Sequence, residues 1–244
     1  MNAAAVGLFF LLNTTLCLFL PAVVPTVFAS PPELRAVSIS EPIILDGRLD
    51  EPAWQTAQVA DDFRQREPDE GERASQSTEV RVLYSRFQLY IGVTCHDSDP
   101  SAIVVTRFNR DSNLAADDRV TLLFDTFLDH RNAFKFQTNS VGTRVDELIG
   151  DQGESENRDW NGIWNVKTNQ TPTGWTAEFA IPFQTLSFAQ GQSTWGFNIQ
   201  RIIKRNNEET VWTGYRQNLD FNRVSVAGRL TGLHHISQGL GLDF

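Results

Sequence analysis

The sequence predicts an all-β protein, a two-sheet antiparallel β-sandwich of the jelly-roll or immunoglobulin-like kind. Three observations carry that expectation. Short segments with a side-chain period of two recur along the chain, bounded by Gly, Pro, Asn, Asp or Ser. No segment sustains the 3.6-residue period of a long helix. Aromatic residues reach 11 %, with 17 Phe and 6 Trp, which suits the space between two packed sheets. The 244 residues fit one large β domain, and 41 % hydrophobic against 21 % charged residues excludes a disordered chain.

The elements follow in order. Residues 1–29 carry no charged side chain, and the apolar run Leu8–Leu20 is broken only by Asn13, Thr14 and Thr15. With Val27-Phe28-Ala29 before Ser30, this reads as a secretory signal peptide, and the protein as exported to the periplasm, outer membrane or extracellular space. Cleavage removes Cys17 and leaves Cys95 in an apolar strand, a buried structural thiol with no disulfide partner. Residues 30–36 read as a linker, 37–233 as the sandwich and 234–244 as a C-terminal tail, with Glu33–Ile44 read as a β-strand arm that ends in the apolar pair Ile43-Ile44. Asp46–Ala57 (DGRLDEPAWQTA) reads as a clip. Asp46-Gly47 makes a tight turn, Asp50, Glu51 and Pro52 open a short helix, and Trp54 plugs the sandwich. Phe63–Ser77 reads as a polar loop. Strand patterns follow at Glu79–Tyr84, Gln88–Thr94, Arg119–Phe124, Phe134–Thr138, Gly162–Thr168, Gly174–Ile181, Trp195–Ile203 and Gly228–Leu233. Asn169–Thr173 joins a hairpin whose second strand turns Trp175, Ala177, Phe179 and Ile181 to one face. Gln88–Thr94 and Trp195–Ile203 are apolar enough for sheet centres.

The segments ILDGRLDEPAWQTA (Ile44–Ala57), VRVLYSRFQLYIGV (Val80–Val93), DDRVTLLFDT (Asp117–Thr126), GWTAEFAIPFQTL (Gly174–Leu186) and WGFNIQR (Trp195–Arg201) occur in that order. Together they resemble carbohydrate-binding module family 9, most closely the version at the N-terminus of exported bacterial proteins that continue into an outer-membrane β-barrel. The resemblance implies a β-sandwich and a non-catalytic, glycan-binding function in polysaccharide breakdown of the xylan type. Its partner would be a polysaccharide or oligosaccharide. In the sugar-binding members two Trp side chains sandwich a sugar. Their places correspond here to Ala115 and to the Thr213–Phe221 segment, which holds Tyr215 and Phe221. The family's Arg and Glu correspond to Gln137 and Thr121, and its Asn to Asn139.

Sugar recognition calls for an exposed aromatic plane with amide, carboxylate or guanidinium groups at its edge. Trp160, in a polar loop, and Tyr215 are the candidate planes; Gln137, Asn139, Arg119 and Asp118 are the candidate polar contacts. Asp97 and Asp99, on alternate residues of the turn HDSDP, are the candidate ligands for a structural calcium ion. A net charge of −9 argues against nucleic acid, and the basic run Arg201–Arg205 reads as a solvated strand end. GxSxG, HExxH, CxxC and glycine-rich phosphate loops are absent. Two other functions remain in view: an envelope domain that caps an outer-membrane barrel after losing its sugar site, and a glycoside hydrolase.

Overall fold

The computed structural model describes residues 30–239, so the signal-peptide reading of residues 1–29 lies outside the described residues. The chain forms β1 (Glu33–Arg35), β2 (Val37–Ser38), α1 (Pro52–Thr56), β3 (Arg64–Glu67), β4 (Thr78–Tyr84), β5 (Gln88–His96), β6 (Arg119–Asp125), β7 (Ala133–Asn139), β8 (Arg144–Gly150), β9 (Ser155–Asn157), β10 (Asn165–Thr171), β11 (Gly174–Pro182), β12 (Trp195–Ile203), β13 (Glu208–Val211) and β14 (Gly228–Thr231). These build two sheets. The larger has nine strands in the order β1-β14-β12-β6-β7-β8-β9, with β13 pairing both β12 and β3; the smaller runs β10-β11-β5-β4-β2. The predicted sandwich is therefore the observed one.

Strand alternation explains the layering. Val120, Leu122 and Phe124 of β6, Phe136 of β7 and Phe197 and Ile199 of β12 meet Val80, Val82, Ile91, Val93, Ala177 and Phe179 of the other sheet in one core. Trp164, Trp175 and Trp195 are almost wholly buried in it, and Trp164 stacks on Phe179 at 5.9 Å. The two strands expected at sheet centres are there: β5 lies between β4 and β11, and β12 contacts β6, β13 and β14. Cys95 is buried, and loss of water around its thiol pushes its pKa up to about 11.

Several boundaries differ from the sequence reading. The sandwich starts before Val37: the strand expected from Glu33 begins there as β1, which buries Leu34 and pairs in parallel with β14, so the 30–36 segment is not a linker. After Ala36 the chain crosses to the other sheet, where β2 pairs in parallel with β4, so two edge pairings break the antiparallel rule. The described part of the tail lies against the sandwich: Ser237 N donates to Arg86 O at 2.9 Å. Within the expected loop 63–77, Arg64–Glu67 is a strand, recruited by pairing with β13 rather than by an apolar pattern. The hairpin strands pair from Asn165↔Ala180 to Thr171↔Gly174, so the connection is tighter than Asn169–Thr173. Arg201 is not solvated: it is buried, donating to Ser77 O, Thr78 Oγ1 and His96 O.

The clip is confirmed, with a different capping chemistry. Trp54 is fully buried and packs with Ile43, Leu83, Tyr90 and Ala180 on the outer face of the smaller sheet. Gly92 makes the room; a Cβ there would lie 2.8 Å from Leu49 and 2.9 Å from the Trp54 ring. Glu51 does not cap the helix with its side chain. Its carboxylate instead accepts from Ile44 N at 3.0 Å and Trp54 Nε1 at 3.1 Å, fixing the plug. Gly47, at φ +88°, lets the turn approach the Thr168 backbone. There Asp46 N and Gly47 N both donate to Glu178 Oε2 at 3.0 Å.

Candidate functional site

The outer face of the larger sheet is built from the polar half of its strand alternation. Register places Gln200 opposite Thr121, Thr121 opposite Gln137 and Gln137 opposite Val145, so these side chains form one row across β12, β6, β7 and β8. The row is tied together at one end. Arg66 grips Glu209 with two hydrogen bonds of 2.6 Å, Gln200 Nε2 donates to the same carboxylate at 2.6 Å, and Thr121 Oγ1 donates to Gln200 Oε1 at 3.2 Å. The Glu209 bond raises the Arg66 pKa above its ordinary value. Arg66 Nη1 also donates to Leu219 O at 3.1 Å. That contact holds the 214–221 loop onto the sheet, where Phe221 and Val224 cover Leu123, Ile149 and Val211.

Beyond that cover the face opens into a recess of about 210 Å³. Arg119, Lys135, Gln137 and Glu147 stand in its wall with Ala115 and Asn113. A single helical turn, Leu114–Ala116, forms the rim; Asn113 Oδ1 caps it by accepting from Ala115 N at 2.9 Å. Arg119 Nη1 donates to Leu114 O at 3.0 Å and ties rim to sheet. Arg119 and Gln137, two of the candidate contacts, are thus brought together.

The other candidates are dispersed. Asn139 is fully buried; its Nδ2 donates to Arg107 O and Asp117 Oδ2, both at 2.8 Å, and its Oδ1 accepts from Thr143 N. Asp118 is buried too, accepting from Lys204 N at 2.8 Å, and burial pushes its pKa up. Both serve the fold. Trp160 is no free platform: its ring lies 5.3 Å from Phe134 and 5.9 Å from Phe136, closing the side of the core. Tyr215 is 38 % exposed, in a separate trough of about 600 Å³ with Trp212 and Arg64 that shares no wall residue with the recess.

The calcium assignment meets a donor set that does not fit a cation. Asp97 Oδ2 lies 2.7 Å from Arg205 and 3.7 Å from Arg201, and its Oδ1 accepts from Asp99 N at 2.8 Å. Asp99 takes the Ser101 hydroxyl at 2.5 Å. Among the described residues, no group of three His, Cys, Asp or Glu converges on a point.

Asp118, Asp125 and Glu178 have pKa values raised by burial, Glu178 to about 7. Each accepts from backbone N–H groups, and none lies in the recess wall. The upward shifts follow from burial, which the accepted backbone hydrogen bonds only partly offset, and not from a catalytic pair.

Lys135, Glu147, Asn113 and Gln200 were missed in the sequence. For Gln200 a signal existed: Asn198 and Gln200 alternate with Phe197 and Ile199, which marks a strand with one polar face. The rim residues had none, because they meet the sheet only through the fold.

Comparison with known proteins bears on this arrangement. A family model described as carbohydrate family 9 binding domain-like matches residues 44–228. A carbohydrate-binding module of family 9 from Caldicellulosiruptor kristjanssonii, solved with cellotriose, superposes with a TM-score of 0.55 at 15 % identity, covering 82 % of this chain and 93 % of that one. A family 9 module from the same organism solved with glucose gives 0.53 at 16 %, covering 85 % and 100 %. A candidate carbohydrate-binding protein from Bacteroides uniformis ATCC 8492 gives 0.64 at 12 %, covering 83 % and 99 %. At these identities the likeness is one of fold. The comparison with curated proteins gave no match.

Proposed function

The chain belongs to the carbohydrate family 9 binding domain-like family, and from that premise we propose that it is a non-catalytic saccharide-binding module whose site is the recess on the outer face of the larger sheet. One observation supports this most. Ala115 and Gln137, which the family resemblance aligns with sugar-contacting positions, stand in the same wall as Arg119. The recess is open and polar, so a sugar edge can exchange water hydrogen bonds for Gln137, Asn113 and Arg119. We place the module in an exported protein acting on plant-type polysaccharide such as xylan; the uncharged leader and the family resemblance support that setting.

Affinity electrophoresis of the purified protein through gels containing xylan, glucan, mannan or pectin tests the reading. Retardation on at least one glycan is the expected result; unchanged mobility on all of them overturns it. A second reading is an envelope domain docked on an outer-membrane barrel, favoured by Phe87 and Phe127, 52 % and 49 % exposed, on either side of the 183–187 turn. It predicts unchanged mobility in every gel together with co-sedimentation with outer-membrane fragments.

A further inference from the structure

Arg119 differs from the other cations around the recess. Lys135 Nζ lies 2.8 Å from Glu147 Oε2, and Arg158 lies 3.4 Å from Glu147 and 3.1 Å from Glu156. Arg110 holds Asp146 at 2.8 Å and Asp111 at 3.4 Å. The acids of the wall are therefore each matched by a cation. Arg119 is not matched: among the described residues no carboxylate oxygen lies within 4.0 Å of its guanidinium. Its hydrogen bond to Leu114 O uses Nη1, and no nitrogen of Arg119 is both unpartnered and sealed from solvent. Its remaining N–H groups are reachable from the recess. The charges that act on it through space, Glu209 and Asp117, are engaged elsewhere, Glu209 by Arg66 and Gln200, Asp117 by Thr106, the Arg107 N–H and Asn139. Partial burial also lowers its pKa from the ordinary arginine value, which marks a guanidinium short of hydration.

The second observation concerns rings. No aromatic side chain stands in the recess wall among the described residues. A neutral sugar would then have to be held by hydrogen bonds alone, which replace equivalent bonds to water and gain little. A carboxylate meeting a guanidinium forms two parallel charge-assisted bonds, each roughly twice as strong as a neutral one.

We propose that the recess takes a uronic acid unit of an acidic glycan, with its carboxylate forked onto Arg119 and its hydroxyls on Gln137 and Asn113. This deepens the saccharide-binding reading and rests on it. The net charge of −9 opposes long acidic polymers, so short oligomers at about 0.1 M salt report the site most directly.

The test is calorimetric titration with two matched pairs: galacturonic acid trimer against its fully methyl-esterified form, and xylotriose bearing one glucuronic acid against plain xylotriose. At least one acid is expected to bind tenfold or more tighter than its neutral partner. Arg119→Gln is expected to remove that preference, bringing the acid and its neutral partner to within about twofold of each other. Arg119→Lys, which keeps the charge and loses the fork, should retain about a threefold preference. Equal binding of acid and neutral forms overturns this proposal and leaves the saccharide module standing; no binding of any probe also overturns it, while the gel panel decides the saccharide module separately. Acetate competing as well as the trimers, carboxylate for carboxylate, would reduce the recess to a general anion site and likewise overturn it. Should the Arg119 variants fail to fold, the comparison within each pair on the unaltered protein decides alone.

Discussion

The outer faces of the two sheets begin with the same material and end differently. On the smaller sheet, the clip from Ile43 to Ala57 lies across β11, β5 and β4 and seals the face with Trp54, Leu49 and Ile43. Its one buried charge, Glu178, is given over to holding the clip's own turn. On the larger sheet a loop covers only the part above Leu123, Ile149 and Val211, through Phe221 and Val224. The remainder keeps long polar side chains bonded to one another across strands, with an opening at β6, β7 and β8. An apolar outer face needs a cover, and the chain supplies it with the clip; a polar outer face is already compatible with water and can stay free for a ligand.

That contrast predicts unequal responses to damage. Trp54→Ala should be the most costly change, destabilising by about 3–5 kcal/mol in urea unfolding, because the plug leaves a cavity against Gly92, Tyr90 and Ala180. Glu178→Gln should work the other way. The carboxyl's folded pKa, about 7, stands above its ordinary 4.5, so the native state prefers the proton. Stability is therefore fully present below about pH 4.5 and falls as the pH climbs to about 7. The glutamine variant keeps an acceptor for Asp46 N and Gly47 N without the charge. It should gain about 1–3 kcal/mol at pH 8, change little at pH 4, and flatten the pH profile between. A flat profile for the unaltered protein would show that the clip does not confine this carboxylate.

Phe221→Ala on the opposite face should cost less, about 1–3 kcal/mol, since it removes the cover of a small satellite cluster and leaves the inter-sheet core whole. Gln137→Ala should leave the unfolding midpoint within error and weaken glycan binding about three- to tenfold, the loss of one or two hydrogen bonds read by calorimetry. The smallest signal is chemical. Cys95 should resist a thiol reagent in the native state and react on unfolding in urea, because its thiol is buried and its pKa is near 11.

Much of the fold was legible. Trp175, Ala177, Phe179 and Ile181 alternate with Thr176, Glu178 and Ala180, and that alternation is enough to give a strand and its buried side. It could not show that Glu178 is buried on the other side as well, because the clip that covers it is more than a hundred residues away. Strand β3 was illegible for the same reason. Its run Arg64–Glu67 is polar throughout and becomes extended only by pairing with β13. The site shows the same division. Gln137, to which the family resemblance points, and Arg119 do share the recess wall. Asn139, which the resemblance also suggests, and Trp160 and Asp118 are instead taken up by packing and hydrogen bonding.

The sequence by itself determined the two-layer architecture, the Trp54 plug and the buried thiol. These rest on side-chain period and apolar content, properties of neighbouring residues that register reads along one strand. Only the tertiary structure decided which polar groups stay free. Arg201 and Arg119 are indistinguishable as letters. One is surrounded by Ser77, Thr78 and His96, and the other stands in an open wall without a carboxylate beside it. The difference is made by residues distant in the chain, since a charge is neutralised by what lies within a few ångströms in space and not by what precedes or follows it.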